Sequence, residues 1–224
     1  MYMLAPFVLS LKLAATTICL LLLLAIPMVY FVHLKSGRLG PLFKSLISLP
    51  LVLPPTVLGY YLLVGFQSER WLGTIWEGIF GQQLAFSFPG LVLGAMIFSL
   101  PFLLNPILSA LEGLPATYTE AAYVMGKSPW QTYWRVLLPN VRQSIIVGGV
   151  MAFAHTIGEF GVVLMIGGNI PSETRVASIA IYQEVEALRY DQANIYALSL
   201  LLFSFLVLMI VYFGSQHQSR KRIL

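Results

Sequence analysis

Five stretches of the chain, residues 13–34, 45–68, 78–111, 143–158 and 192–219, contain no Asp, Glu, Lys or Arg. All but 143–158 exceed the roughly 20 residues that a helix needs to cross the hydrocarbon core of a bilayer. That shorter stretch is interrupted by Glu159, and its apolar pattern resumes through Ile166. Inside lipid, every backbone N–H and C=O must find a partner within the protein, so only helices and closed barrels can span it. Barrel strands alternate apolar and polar side chains, whereas these runs are apolar throughout. The pattern predicts an all-α integral membrane protein with about five transmembrane helices, at approximately 8–33, 46–66, 88–109, 141–165 and 195–214.

Composition narrows the function classes. Charged residues make up 10% of the chain, against about 25% in an ordinary soluble domain. The net charge of +4 comes from dispersed residues at the ends of apolar runs, so no nucleic-acid partner is expected. The single cysteine, Cys19, lies in an apolar run and excludes a disulfide framework or thiol metal cluster. His33 and His155 lack partners at metal-ligand spacing. The N-terminus has neither the basic start nor the small-x-small site of a secretory signal, and reads as a retained first span. No GxxxxGK[ST] loop occurs, so ATP bound by that route must belong to another subunit.

The loop cations set an orientation. Lys35, Arg38 and Lys44 follow the first span, Lys127, Arg135 and Arg142 separate the third from the fourth, and Arg220, Lys221 and Arg222 close the chain. The alternate loops hold only Arg70, Arg175 and Arg189. Because Lys and Arg accumulate in cytoplasmic loops, the N-terminus is expected outside and the C-terminus inside.

That orientation makes the stretch 120–139, "EAAYVMGKSPWQTYWRVLLP", cytoplasmic. Pro115 suits a helix start and Gly126 a left-handed stop. Ser128 and Pro129 read as N-cap and first residue of a second helix. Ala122, Met125 and Gly126, at i, i+3 and i+4, are expected to share a small face that another protein's backbone can approach. Glu120 can pair with a basic group on that partner or within the loop. A hairpin lying on lipid is the alternative, which Trp130, Tyr133 and Trp134 would suit.

The spacing E-A-A, three residues, G, nine residues, V-x-L-P runs from Glu120, Ala121 and Ala122 through Gly126 to Leu138 and Pro139. It resembles the cytoplasmic signature loop of the permease subunits of binding-protein-dependent ABC importers, with Val136 where isoleucine is usual. Two further stretches, "LPLVLPPTVLGYYLL" at 49–63 and "GEFGVVLMIGGNIPSETRVASIAIY" at 158–182, look like the permeases of molybdate importers. Sulfate permeases share a similar GEFG and GNI region. The resemblance covers nearly the whole chain from the second span onward.

The resemblance implies a single permease domain over 1–224 with a coupling loop at 110–140. Glu120, Ala121, Ala122, Met125, Gly126, Leu138 and Pro139 would then meet an ATPase subunit. It also implies a homodimer, two cytoplasmic ABC ATPase subunits that bind the ATP and Mg, and an extracytoplasmic molybdate-binding protein. The location would be a bacterial or archaeal cytoplasmic (inner) membrane, and this chain would hold no cofactor and perform no covalent chemistry. Pro54, Pro55 and Thr56 become candidates for the path or its gate, where Pro50, Pro54 and Pro55 remove N–H donors and either kink the span or kink it so that it lines the path. Glu159 lies about 26 Å beyond Arg142 at 1.5 Å per residue, near the outer face. Since a carboxylate repels an oxyanion, Glu159 reads as structural or as part of the outer gate. Arg175 either helps a binding protein to dock or solubilises the outer loop. Tungstate and sulfate remain alternative cargoes.

Overall fold

The computed structural model describes residues 4–220, which are helical and turn with no strand among them. In chain order the helices are α1 (Ala5–Tyr30), α2 (Gly40–Val52), α3 (Pro55–Phe66), α4 (Trp71–Phe80), α5 (Phe88–Glu112), α6 (Thr117–Val124), α7 (Pro129–Thr132), α8 (Leu138–Asn140), α9 (Arg142–Gly158), α10 (Gly161–Gly167), α11 (Ala177–Glu186) and α12 (Tyr190–Arg220). A π-helical turn extends α1 over Phe31–Lys35, and another joins α7 to α8 over Tyr133–Leu137. Lys221 and Arg222, counted among the cytoplasmic cations, lie outside the described residues.

The molecule is organised around α5. Ser87 caps its N-terminus by accepting from the Gly90 N–H at 3.2 Å, and Pro89 occupies the first turn where no donor is needed. Leu91, Ala95, Leu103, Leu104 and Ile107 of this helix are buried. Helices α1 and α9 pack along it, with α2 and α10 completing the surround. The α9 contact is close because Gly148 carries no side chain: a Cβ there would lie 2.8 Å from the Leu103 carbonyl oxygen. Small residues of this kind let helix backbones approach in membranes. By contrast α12 rests on α9 and α11 and leaves Leu198, Leu201, Leu202 and Phe205 exposed.

Three helical segments are long and apolar enough to cross a membrane: Ala5–Leu34, Phe88–Glu112 and Tyr190–Met209. Two bent pairs bring the number to as many as five, Gly37–Val52 with Pro55–Phe66 at 109° and Pro129–Asn140 with Arg142–Gly158 at 72°. The stretch 46–66, expected as one span, is therefore two helices. Proline chemistry explains where it breaks. Single prolines sit inside continuing helices at Pro27, Pro50, Pro101 and Pro106. The pair Pro54–Pro55 acts differently, because each proline drives the residue before it out of the helical region. Leu53 and Pro54 are both extended, with ψ of 136° and 135°, and Pro55 then starts a new helix. The stretch 141–165 is likewise divided, with α9 ending at Gly158, Glu159 extended at ψ 134°, and α10 starting afresh.

Candidate functional site

The loop at 110–140 folds as a short helix, a turn and a second helix. Gly126 terminates α6 at φ +75°, and the Lys127 N–H bonds back to the Ala122 carbonyl at 3.0 Å, closing the helix end. Helix α7 begins with a reciprocal capping box: Ser128 Oγ accepts from the Gln131 N–H at 3.3 Å, and Gln131 Oε1 accepts from the Ser128 N–H at 3.1 Å. The first helix starts at Thr117, two residues beyond Pro115. At the base of the loop, Lys44 on α2 pairs with Glu112 at the end of α5, and Ser48 and Asn105 hydrogen-bond one turn deeper.

The shared small face expected of Ala122, Met125 and Gly126 is not what forms. Ala122 is 2% exposed and is the buried residue of α6, which packs onto α7 and the Tyr133–Leu137 turn. Its small side chain permits close approach by its own chain. The outward surface carries Val124 and Met125, 90% and 74% exposed, with Glu120, Ala121 and Gly126 beside them. Glu120 forms no ion pair with the described side chains. Pro139 is exposed and Leu138 half-buried at the far end of the loop. Nor do the aromatics simply face outward. Tyr133 is fully buried, and Tyr30 of α1 meets Trp130 edge-on with ring centroids 4.7 Å apart.

The two other stretches singled out in the sequence meet in space. Gly161 of the GEFG segment sits against the Pro54–Pro55 break, where a Cβ on it would lie 2.6 Å from the Pro55 Cβ. Farther along, a Cβ on Gly59 would lie 2.8 Å from the Met165 Cβ and 3.3 Å from the Val162 Cα, so α3 and α10 run side by side in one direction. Helix α5 closes the other flank of α10, with Gly94 taking the Ile166 side chain. Glycines allow this three-helix contact. Pro54, Pro55 and Thr56 remain exposed at its edge. Missing N–H groups at Pro54 and Pro55 deprive the Pro50 and Leu51 carbonyls of their usual helical donors. The break thus offers polar backbone on an exposed surface.

Glu159 is buried beside this contact, 7% exposed. Its Oε1 accepts from the Val162 N–H at 2.9 Å, satisfying a free donor in the first turn of α10, and its backbone carbonyl accepts from Ser178 Oγ at 2.5 Å. The carboxylate thus caps α10, while the Glu159 backbone carbonyl ties the break to α11. The outer loop that follows is pinned by buried Thr174, whose Oγ1 donates to the Gly167 carbonyl and accepts from the Ile170 N–H. Arg175 is half-buried and tied to this loop, with Nε donating to Asn169 Oδ1 at 2.6 Å. It borders a polar recess with Gln183, Glu184 and Tyr196. The Arg189 guanidinium hydrogen-bonded to Glu184 holds that carboxyl below the usual carboxylate range.

Sequence reasoning missed one polar cluster. His155 stacks on Phe102, with centroids 4.0 Å apart, and its Nδ1 shares a hydrogen bond with Ser99 Oγ, which also meets Thr156 Oγ1. Exposed Val124 was passed over as well; packing of α7 and the Tyr133–Leu137 turn on the other side of α6 leaves it outward.

Comparison with known proteins follows the same lines. Residues 22–224 match the family described as binding-protein-dependent transport system inner membrane component. The chain is 42% identical over 209 residues to the molybdenum transport system permease protein ModB of Azotobacter vinelandii, covering 93% of this chain and 92% of that one. It is 35% identical over 167 residues to a probable sulfate transport system permease protein of Zygnema circumcarinatum, covering 74% of this chain and 57% of that one. Among solved structures, the inward-facing MetNI methionine ABC transporter aligns with a TM-score of 0.75 at 14% identity, covering 96% of this chain and 95% of that chain. A bacterial alginate ABC transporter aligns at 0.69 with 22% identity, covering 96% and 79%. These last two likenesses concern the fold. With its multi-pass helical fold and a family match over most of its length, the chain belongs to the binding-protein-dependent inner membrane components, the permease subunits of ABC importers.

Proposed function

We propose that this permease carries molybdate, working as a homodimer whose translocation path lies between the two copies. The sequence identity of 42% across 93% of the chain supports molybdate over other cargoes. The exposed Pro54–Pro55 break supports the dimer. Non-helical backbone at membrane depth is tolerated where protein buries it or where it borders water. A second copy facing this break, with a hydrated path between them, meets that requirement. The spans carry almost no cations, which suits a conduit that must let a dianion go.

Two cytoplasmic ATPase subunits would bind the ATP and Mg and seat the outward face of α6 around Val124 and Met125. An extracytoplasmic binding protein would deliver the anion to the outer loop near Arg175. The N-terminus would lie outside and the C-terminus inside. ATP-driven closure of the ATPase pair would then be passed through the loop at 110–140 to switch the path from inward- to outward-facing. The relatives among sulfate permeases favour sulfate as the second reading. Uptake by the complex reconstituted in vesicles tests both. Molybdate accumulation should require ATP and the binding protein, tungstate should compete, and excess sulfate should not. Displacement of molybdate by equimolar sulfate would overturn the assignment in favour of the second reading.

A further inference from the structure

We infer that Tyr133 is a positioning residue which makes the C-terminal end of α1, from Ile26 onward, move with the coupling loop. This rests on the ATPase-coupling reading above. Tyr133 is fully buried, and its hydroxyl donates to the backbone carbonyl of Ile26 at 2.8 Å, across 107 residues of chain. The acceptor adjoins a weakened part of α1. Pro27 has no N–H for the Leu23 carbonyl, and after Tyr30 the helix widens into the π turn Phe31–Lys35. Prolines and π turns are where helices bend.

Around this bond, Tyr30 packs against both Trp130 and Tyr133, with centroids 4.7 and 5.2 Å away. Trp134 stacks on Trp130 in turn. These rings belong to α1, to α7 and to the turn that follows it, on both of which α6 rests. Helix α1 also packs against α5 and α9, and the π turn at its end touches α5 and α2. A displacement of α6 is therefore passed to residues 27–35 by direct contact. Lipid anchoring alone does not account for a buried tyrosine directed at a main-chain carbonyl.

Two measurements on the complex reconstituted with its ATPase and binding protein test this. Tyr133→Phe keeps the ring and removes only the hydroxyl. It should still co-purify with the ATPase, while ATP hydrolysed per molybdate imported rises by roughly twofold to tenfold, the factor corresponding to one net hydrogen bond. An unchanged ratio overturns the inference. The second uses spin-label pairs in a Cys19→Ser background, with no change at Tyr133. The distance between Phe31→Cys and Arg135→Cys should stay fixed when ATP binds, and that between Phe31→Cys and Ser109→Cys should change. Any shift in the first pair, or none in the second, also overturns it. If the unsubstituted chain holds no ATPase, the coupling reading itself fails and this inference falls with it. If the ATPase is held and only the distances disagree, this inference alone is lost.

Discussion

Two adjacent glycines in α9 provide an internally controlled test of the helix packing. A Cβ on Gly148 would lie 2.8 Å from the Leu103 carbonyl oxygen and 3.3 Å from both the Leu103 Cα and the Phe102 carbonyl oxygen. Ordinary contacts between such atoms fall at about 3.5–4.0 Å. All three obstacles are backbone, so no side chain can swing away, and α5 and α9 must separate. Overpacking of this kind costs about 1–3 kcal/mol. A Cβ on Gly149 meets nothing within 4 Å, since that position borders a groove of about 430 Å³ between α1, α9 and α12. Both changes to alanine raise helix propensity equally, by about 1 kcal/mol in water. That gain cancels in the comparison. Gly148→Ala should therefore be less stable than Gly149→Ala by about 1–3 kcal/mol, or roughly 2–12 °C in melting temperature for a chain of this size. Thermal unfolding of the two purified variants in one detergent measures the difference. A Gly148→Ala protein that melts at or above the Gly149→Ala protein would refute the close approach of α5 and α9.

Gly126 has φ +75° and nothing within 4 Å of its missing Cβ, so substitution there is purely conformational. Gly126→Ala should destabilise the loop by about 1–2 kcal/mol and Gly126→Asn by less; equal loss of co-eluting ATPase for the two would contradict a left-handed requirement. Glu159→Ala leaves the Val162 N–H unpaired in a buried site and should lower stability by about 1–3 kcal/mol, whereas Glu159→Gln retains an acceptor and should lose less in the same melting assay. Reporters fused after Gly37, Pro129 and Ser219 should be cytoplasmic and those after Gly73 and Ser172 external; an external Pro129 fusion would sink both the orientation and the coupling role. The purified permease without its binding protein should bind molybdate only weakly, and calorimetry giving micromolar or tighter binding would count against the conduit reading.

The membrane class was legible from the charge-free runs, because exclusion of charge reflects the bilayer and not the details of packing. The division of those runs was less so. Hydropathy treats 46–66 as one span, since Leu53, Pro54 and Pro55 do not lower its apolar character. The decisive information is conformational: two consecutive prolines extend two consecutive residues, and the chain turns by 109°. In the sequence these prolines read as a kink, because a single proline leaves a helix continuing, as Pro101 and Pro106 do within α5. Glu159 shows what spacing along a helix leaves out. Rise per residue gives its distance from Arg142 along α9, but not that α9 stops at Gly158 and that the carboxylate then caps the first turn of α10.

The loop at 110–140 divides in a similar way. Its turn and capping chemistry could be read directly, since a glycine at φ +75° and the Ser128–Gln131 capping box are local consequences of residue type. Which face of α6 lies outward is not local. Helical spacing groups Ala122 with Met125 and Gly126, but the Tyr133–Leu137 turn packs onto Ala122 and the outward side becomes Val124 and Met125. This changes how the partner contact can be tested. Ala122→Trp would wreck the loop's own packing whether or not an ATPase binds, so its failure would show nothing about the partner. Met125→Glu disturbs no buried contact, as its side chain is 74% exposed. It places a carboxylate where a partner would need an apolar surface to be desolvated. Burying an unpaired charge is costly enough that co-eluting ATPase should fall at least tenfold, about 1.4 kcal/mol, while the variant's melting temperature stays within the range of a surface change, about ±0.5 kcal/mol. Full ATPase retention by Met125→Glu would leave α6 without a partner on that face and return the loop to the membrane surface.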